Sequence, residues 1–400
     1  MAEDFISLAV IAVVAFACPI VARIAPGKLI PETVFLLIAG ALLGPHMAGV
    51  IHTTDSIDLL SDLGLAFLFL LAGYEIDPKT LTGQQGKRGL VTWAVSIVLA
   101  FAAVRLSPMF SISHFDGIAV AIALTTTALG TLLPILKERG LTTTRVGSAI
   151  LSYGTWGELC PVIAMALLLS TRAEWQTILI LLLFVGIAVT AAVVPARARK
   201  AGHVMFAFLE ENRDTTSQAM VRAVVLLLVG LVAISAVFDL DIVLGAFAAG
   251  FILRYIIPQG DHSLEHKLEG IAYGFFIPTF FIVSGAKIDL AGVFSQPALL
   301  VEFIVVLLAI RAVPIFVALS TEKKEGRLSI YNRLTVSLYC TTALPIIVAV
   351  TSVAVDAGAL PESVAGTLVA AGAVTVFLMP LLASVTHRIS LAVDPNQSAL

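Results

Sequence analysis

The chain is a succession of apolar runs about 20 residues long, the length of helix that crosses a hydrocarbon core roughly 30 Å thick. Runs fall near 4–23, 30–50, 57–76, 89–107, 114–136, 146–170 and 174–196, then near 219–237, 240–257, 268–286, 297–319, 331–355 and 362–386. Within lipid every backbone N–H and C=O has to be satisfied inside the protein, so runs of this length are predicted to be helices. The expectation is an all-α polytopic membrane protein with about thirteen transmembrane helices. Composition agrees, since 59% of residues are apolar and only 13% charged, a balance that would leave a soluble domain covered in apolar patches. A formal net charge of −3, with no basic tail, gives nucleic acid nothing to bind. Cys18, Cys160 and Cys340 lie singly in separate runs, which reads as buried thiols rather than a metal set or disulfides. Glu3 and Asp4 precede the first run where a signal peptide carries basic residues, so that run is expected to stay as a span.

An odd number of spans puts the termini on opposite sides, and cytoplasmic loops collect Lys and Arg. With the N-terminus outside, basic residues from Arg23 and Lys28 through Lys87, Arg88, Arg139, Arg197 and Lys267 to Arg333 and Arg388 fall inside, leaving Arg105, Arg172 and Lys287 outside. The expected location is the cell membrane, with a cytoplasmic C-terminus and the lipid bilayer as surroundings. The mixed-charge stretch 197–218 reads as a cytoplasmic link between a first half of about 1–196 and a second of about 219–390. Residues 1–400 are read as a single transmembrane domain, the tail after Asp394 being too short for a regulatory cytosolic domain.

Val146 to Ser170 carries one carboxylate, Glu158, near its midpoint. A charged side chain there costs roughly 2.5 to 3.5 kcal/mol on insertion scales, so such an acid usually faces a cavity, a counter-charge or an ion path. The plainer alternative is a neutral acid serving as interhelical glue near Thr155 and Trp156. The string TTAL occurs at Thr126–Leu129 and again at Thr341–Leu344, with Gly130 and Pro134 following one copy and Pro345 following the other. Interrupted spans in corresponding positions of two halves point to a binding site at the midplane. Thr125, Gly130, Thr131, Thr341, Thr342 and Pro345 therefore mark the expected breaks. Thr126, Thr127 and Thr155 supply hydroxyls near Glu158, and hard monovalent cations need oxygen ligands; packing through small residues is the other use of such threonines. A desolvated carboxyl holds its proton until a cation takes its place.

Arg311 is the second charge at membrane depth, in VEFIVVLLAIRAVPIFVAL. Its guanidinium stays ionised and needs a partner. Glu302 lies nine residues earlier, on nearly the opposite helix face, which leaves Glu158 or carbonyls freed at a helix break. Pro314 is placed to free one in the same span. Glu75, near the cytoplasmic end of its span, is expected to snorkel to the interface.

Three stretches, LGLAFLFLLAGYEIDP at 63–78, LGAFAAGFIL at 244–253 and FFIPTFFIVSGAKIDL at 275–290, resemble the monovalent cation:proton antiporters of the second superfamily group, which includes bacterial sodium/proton antiporters and potassium-efflux systems. The resemblance runs over nearly the whole chain. It implies an inverted-repeat antiporter fold with two crossing interrupted helices, here 121–137 and 339–350, and a homodimer. It also implies exchange of a monovalent cation, Na+ or K+, for protons by alternating access, without a cofactor. The family's ion site commonly carries Asp-Asp or Asn-Asp; the matching positions here are Gly157 and Glu158. Arg311 falls where relatives pair a basic residue with the first of those, which is missing, so it either touches Glu158 or is held by carbonyls. A single carboxylate favours one-for-one exchange. Two other readings are an anion or organic-solute transporter that uses Arg311, and a membrane sensor that has lost transport. An enzyme is not expected, because no catalytic set shares one membrane depth.

Overall fold

The computed structural model describes residues 2–24, 32–76, 83–107, 114–168, 182–191, 193, 197, 218–238, 240–257, 261–322 and 327–393. Residues 198–217 of the expected link and part of the run expected at 174–196 lie outside them. The helices are α1 (Ala2–Ile24), α2 (Glu32–Leu43), α3 (Asp55–Glu75), α4 (Gln84–Leu106), α5 (His114–Ala123), α6 (Leu129–Glu138) and α7 (Arg145–Leu168). They continue as α8 (Leu182–Ala191), α9 (Ala219–Val237), α10 (Ile242–Ile256), α11 (His262–Ala286), α12 (Leu290–Ser295), α13 (Pro297–Ser320), α14 (Ile330–Tyr339), α15 (Leu344–Asp356) and α16 (Glu362–Val393). No strand occurs among the described residues. Among the described residues nine helices, counting Ile330–Asp356 as one span, are long and apolar enough to cross a membrane, while α2, α8 and α10 are shorter apolar helices. The protein is thus an all-helical, multi-pass membrane protein.

Polar residues sit at the helix ends, where the first amides lack partners. Asp241 Oδ1 accepts from Val243 N at 2.7 Å, and Asp261 Oδ1 accepts from Ser263 N and Leu264 N at 3.1 Å each. Between helices the packing depends on small residues, because lipid tails remove the hydrophobic drive that joins helices in water. Gly73 of α3 and Gly250 of α10 lie against each other's backbones. A Cβ on Gly250 would fall against Leu70 O and 2.7 Å from Tyr74 N.

Two spans are interrupted. The first unwinds between Ala123 and Leu129, and the second between Tyr339 and Leu344, so both breaks coincide with the TTAL strings. Thr125, Thr341 and Thr342 lie in the unwound stretches, whereas Gly130, Thr131 and Pro345 fall in the first turns of α6 and α15 just beyond them. The breaks touch: Ala128 N donates to Thr342 O at 2.8 Å. The entering half α5 shares an apolar cluster with the leaving half α15, and α6 shares another with α14. This is the pairing that an antiparallel crossing requires.

Two further spans carry a π turn just ahead of a proline, Ala272–Phe276 before Pro278 and Leu308–Ala312 before Pro314. Proline has no N–H, so the carbonyl four residues back is released from its helix. In α13 that carbonyl is Ile310 O, and Ser96 Oγ of α4 donates to it at 2.8 Å.

The close α3–α10 contact is tested with Gly250→Ala. Backbone atoms cannot yield, so overpacking is expected to cost about 1–3 kcal/mol and to lower the thermal midpoint in detergent. Gly230→Ala, which meets nothing within 4 Å, should melt like the wild type. Equal midpoints for all three proteins would contradict the packing.

Candidate functional site

Glu158 stands near the middle of α7 and is 2% exposed. Its carboxyl meets hydrogen-bond donors from the amides of Leu129 and Gly130, the first in α6, while Oε2 is buried without a partner. It lines a small cavity of about 10 Å³ with Leu68, Phe69 and Ala72 of α3, Ala128 and Gly130 at the first break, and Pro345 and Ile346 at the start of α15. That space is at the lower limit of what one water needs. The carboxyl therefore lies where two helices begin, α6 and α15, and helix N-termini carry partial positive charge that suits an anion.

Arg311 sits inside the π turn of α13 and is fully buried. Nε and Nη2 donate to Thr127 Oγ1 at 3.1 and 2.9 Å, and Nη2 also donates to Tyr153 O at 2.9 Å. Thr127 Oγ1 in turn donates to Cys340 O, at the C-terminal end of α14. Of the two arrangements open to Arg311 from the sequence, the carbonyl one is found, with a hydroxyl added. Among the described residues no carboxylate pairs with it. Glu302 instead accepts from Ser107 Oγ at 2.6 Å.

Gly157 explains why the guanidinium fits. A Cβ there would overlap Arg311 Nη2 and come within 2.6 Å of Thr127 Oγ1. The position that looks like a lost polar residue is the seat of the arginine. Pro161, one turn on in α7, adds to it. Lacking an N–H, it leaves Gly157 O free, and Thr127 N of the first break donates to that oxygen at 2.8 Å. The unwound segment is thereby fixed to α7 between Arg311 and Glu158.

The other threonines are placed less directly. Thr125 and Thr126 hydroxyls donate back to Ile122 O and Ala123 O, Thr155 to Leu151 O and Thr341 to Leu338 O. Such local bonds are a common fate of threonine near helix ends. Thr131 is half-buried in the first turn of α6, and Thr342 Oγ1 is buried without a partner. Glu75 does more than reach for the interface: its Oε2 is buried, three residues beyond the cavity-lining Ala72. The sequence reading missed Ser96, Pro161 and the Tyr153 carbonyl. Prolines inside apolar runs were the available signal for the first two.

Comparison with known proteins identifies the family and the fold. The family described as sodium/hydrogen exchanger, transmembrane, matches residues 11–386. The chain belongs to the sodium/hydrogen exchanger family. YjbQ of Bacillus subtilis, named as a Na+/H+ antiporter, is 26% identical to this exchanger-family chain over 390 residues, 94% of this chain and 62% of YjbQ. The chain thus spans less than two thirds of that relative. The Na+/H+-K+ antiporter GerN of Bacillus cereus is 23% identical over 267 residues, 66% of this chain and 67% of GerN. The structure of the sodium proton antiporter MjNhaP1 from Methanocaldococcus jannaschii at pH 8 superposes with a TM-score of 0.61 at 16% identity, covering 97% of this chain and 99% of that one. That likeness establishes the antiporter fold. The proteins so named are transporters, not enzymes.

The seat of Arg311 is tested by a double-mutant cycle. Gly157→Ala should displace the guanidinium and cost about 1–3 kcal/mol. In an Arg311→Met background the same change should cost less, with a coupling of roughly 0.5–3 kcal/mol. Additive losses in thermal midpoint would show that the two residues do not meet.

Proposed function

We propose that this chain is a secondary active transporter that exchanges a monovalent cation, Na+ or K+, for protons, with Glu158 binding either in turn. The observation that carries the reading is the buried carboxyl beside a small cavity of about 10 Å³ where two broken helices meet. Protonated, Glu158 is neutral and tolerable in a dry site. Ionised, it needs the α6 amides and a cation. A site that cannot hold both charges loads them alternately, and exposure to each side in turn makes this exchange. The names of YjbQ and GerN support sodium, and that of GerN potassium as well.

Thr127 has the role of positioning residue, tying Arg311, the first break and Cys340 O together. Thr126 and Thr155 donate their hydroxyl protons to Ala123 O and Leu151 O, which leaves each oxygen able to accept or to coordinate, and Thr342 Oγ1 is buried without a partner; with backbone carbonyls at the breaks these are the candidate oxygen set. The reading carries no resident cofactor and one transmembrane transporter domain of about thirteen spans. It also includes a homodimer in the cell membrane, the N-terminus outside and the C-terminus in the cytoplasm. It is favoured over an anion or solute carrier because Arg311 does not line the cavity beside Glu158; its Nε and Nη2 donate to Thr127 and Tyr153, while Nη1 is buried without a hydrogen-bond partner.

In everted vesicles that hold an imposed proton gradient, adding Na+ or K+ should release protons. Glu158→Gln should remove that response at unchanged expression, whereas Glu302→Gln should keep it. A cation response that survives Glu158→Gln would refute this assignment.

A further inference from the structure

A second cavity lies away from the crossing, between the first three turns of α4 and the last turns of α13. It is an open groove of about 470 Å³, almost wholly apolar along its length, with Val91, Val95, Pro314 and Val317 as walls. Its mouth is polar. Gln84 and Lys87 stand on one side and Thr321 on the other, at the level where α4 begins and α13 ends. From Gln84 to Val95 is 11 residues, or about 16 Å along the helix, roughly half the hydrocarbon thickness. The groove has the length and polarity gradient of one lipid leaflet.

The charge at the mouth selects the occupant. Arg88 is paired with Glu322 at 3.2 Å, so these two cancel. Lys87 is exposed and has no ion pair among the described residues, which leaves one net positive charge. The first amides of α4 add to it, since Gly83 at the N-cap offers them no side-chain acceptor, and such amides favour an anion. We propose that this groove binds an anionic phospholipid, its phosphate at Lys87 and the start of α4, and one acyl chain along Val91, Val95 and Val317. Basic pockets between helices at the membrane surface are the sites where anionic headgroups bind. The occupant would rest against Pro314, three residues beyond Arg311 and just after the π turn that carries it. The binding itself does not depend on which cation is exchanged.

The test is native mass spectrometry of the purified protein in detergent, titrated with equal amounts of dioleoyl phosphatidylglycerol and dioleoyl phosphatidylcholine. Wild type should retain phosphatidylglycerol about five-fold more than phosphatidylcholine, the effect of one basic group. Lys87→Gln, at an exposed position, should lose the preference, and Val95→Phe, which fills the groove, should lose the retained lipid. Glycerophosphate in large excess should displace nothing, because the acyl chain supplies the affinity. Equal retention of both lipids by wild type, or a preference that survives Lys87→Gln, would overturn the proposal. Retention that survives Val95→Phe would do the same, and displacement by glycerophosphate would reassign the site to a free phosphate.

Discussion

A guanidinium cannot discharge inside a membrane protein, and the architecture around the helix crossing follows from how Arg311 is held. It takes the place a side chain at 157 would fill; Nε and Nη2 donate to Thr127 Oγ1 and Tyr153 O, and Nη1 is buried without a hydrogen-bond partner. A buried charge stripped of its partners costs about 3–5 kcal/mol, so Gly157, Thr127 and the carbonyl of Tyr153 are bound to one geometry. Thr127 lies in the unwound segment, and fixing it fixes the break. The N-terminus of α6 is then directed at Glu158, one residue along α7 from the glycine. Fixed cation and buried acid are thus separated by the crossing rather than joined across it, the positive group beside the C-terminal end of α14 and the negative one beside two helix N-termini, as the dipoles favour.

Prolines make the breaks sociable. Pro161 releases Gly157 O for Thr127 N, and Pro314 releases Ile310 O for Ser96 Oγ. In each case a carbonyl that a regular helix would consume becomes a link to another helix. Because lipid offers no alternative donor, each freed carbonyl has to be matched by an amide or hydroxyl from a neighbouring segment. Interrupted helices in this protein are therefore specified from outside their own sequence, by the helices packed against them.

Much of this was legible in the chain. Glu158 and Arg311 stood out because charge in an apolar run is costly, and the paired TTAL strings located both breaks because a symmetric crossing repeats its chemistry. Pro314 does free a carbonyl, Ile310 O, but Ser96 takes it and Arg311 bonds to Thr127 and Tyr153 instead. What the sequence did not carry was direction. Nothing local distinguishes Thr127, whose hydroxyl faces Arg311, from Thr126 and Thr155, whose hydroxyls turn back on their own helices. Gly157 read as an absence because a glycine's use depends on what approaches it, and Arg311 lies 154 positions away in the chain. The cavity walls Leu68, Phe69 and Ala72 are likewise ordinary apolar residues until α3 packs on the crossing. Helices such as α2 and α10 have fewer residues than the apolar runs that contain them, since turns and caps take up the ends.

On the proposed reading Arg311 keeps its charge throughout and Glu158 alone changes partner, so that one cation exchanges for one proton. The most direct measurement is the rate and end point of sodium-driven proton movement in proteoliposomes held at different imposed membrane potentials. The account predicts that neither depends on potential, because no net charge crosses in a cycle. A rate or end point that moves systematically with potential would contradict it, and would mean that a second titrating group accompanies Glu158.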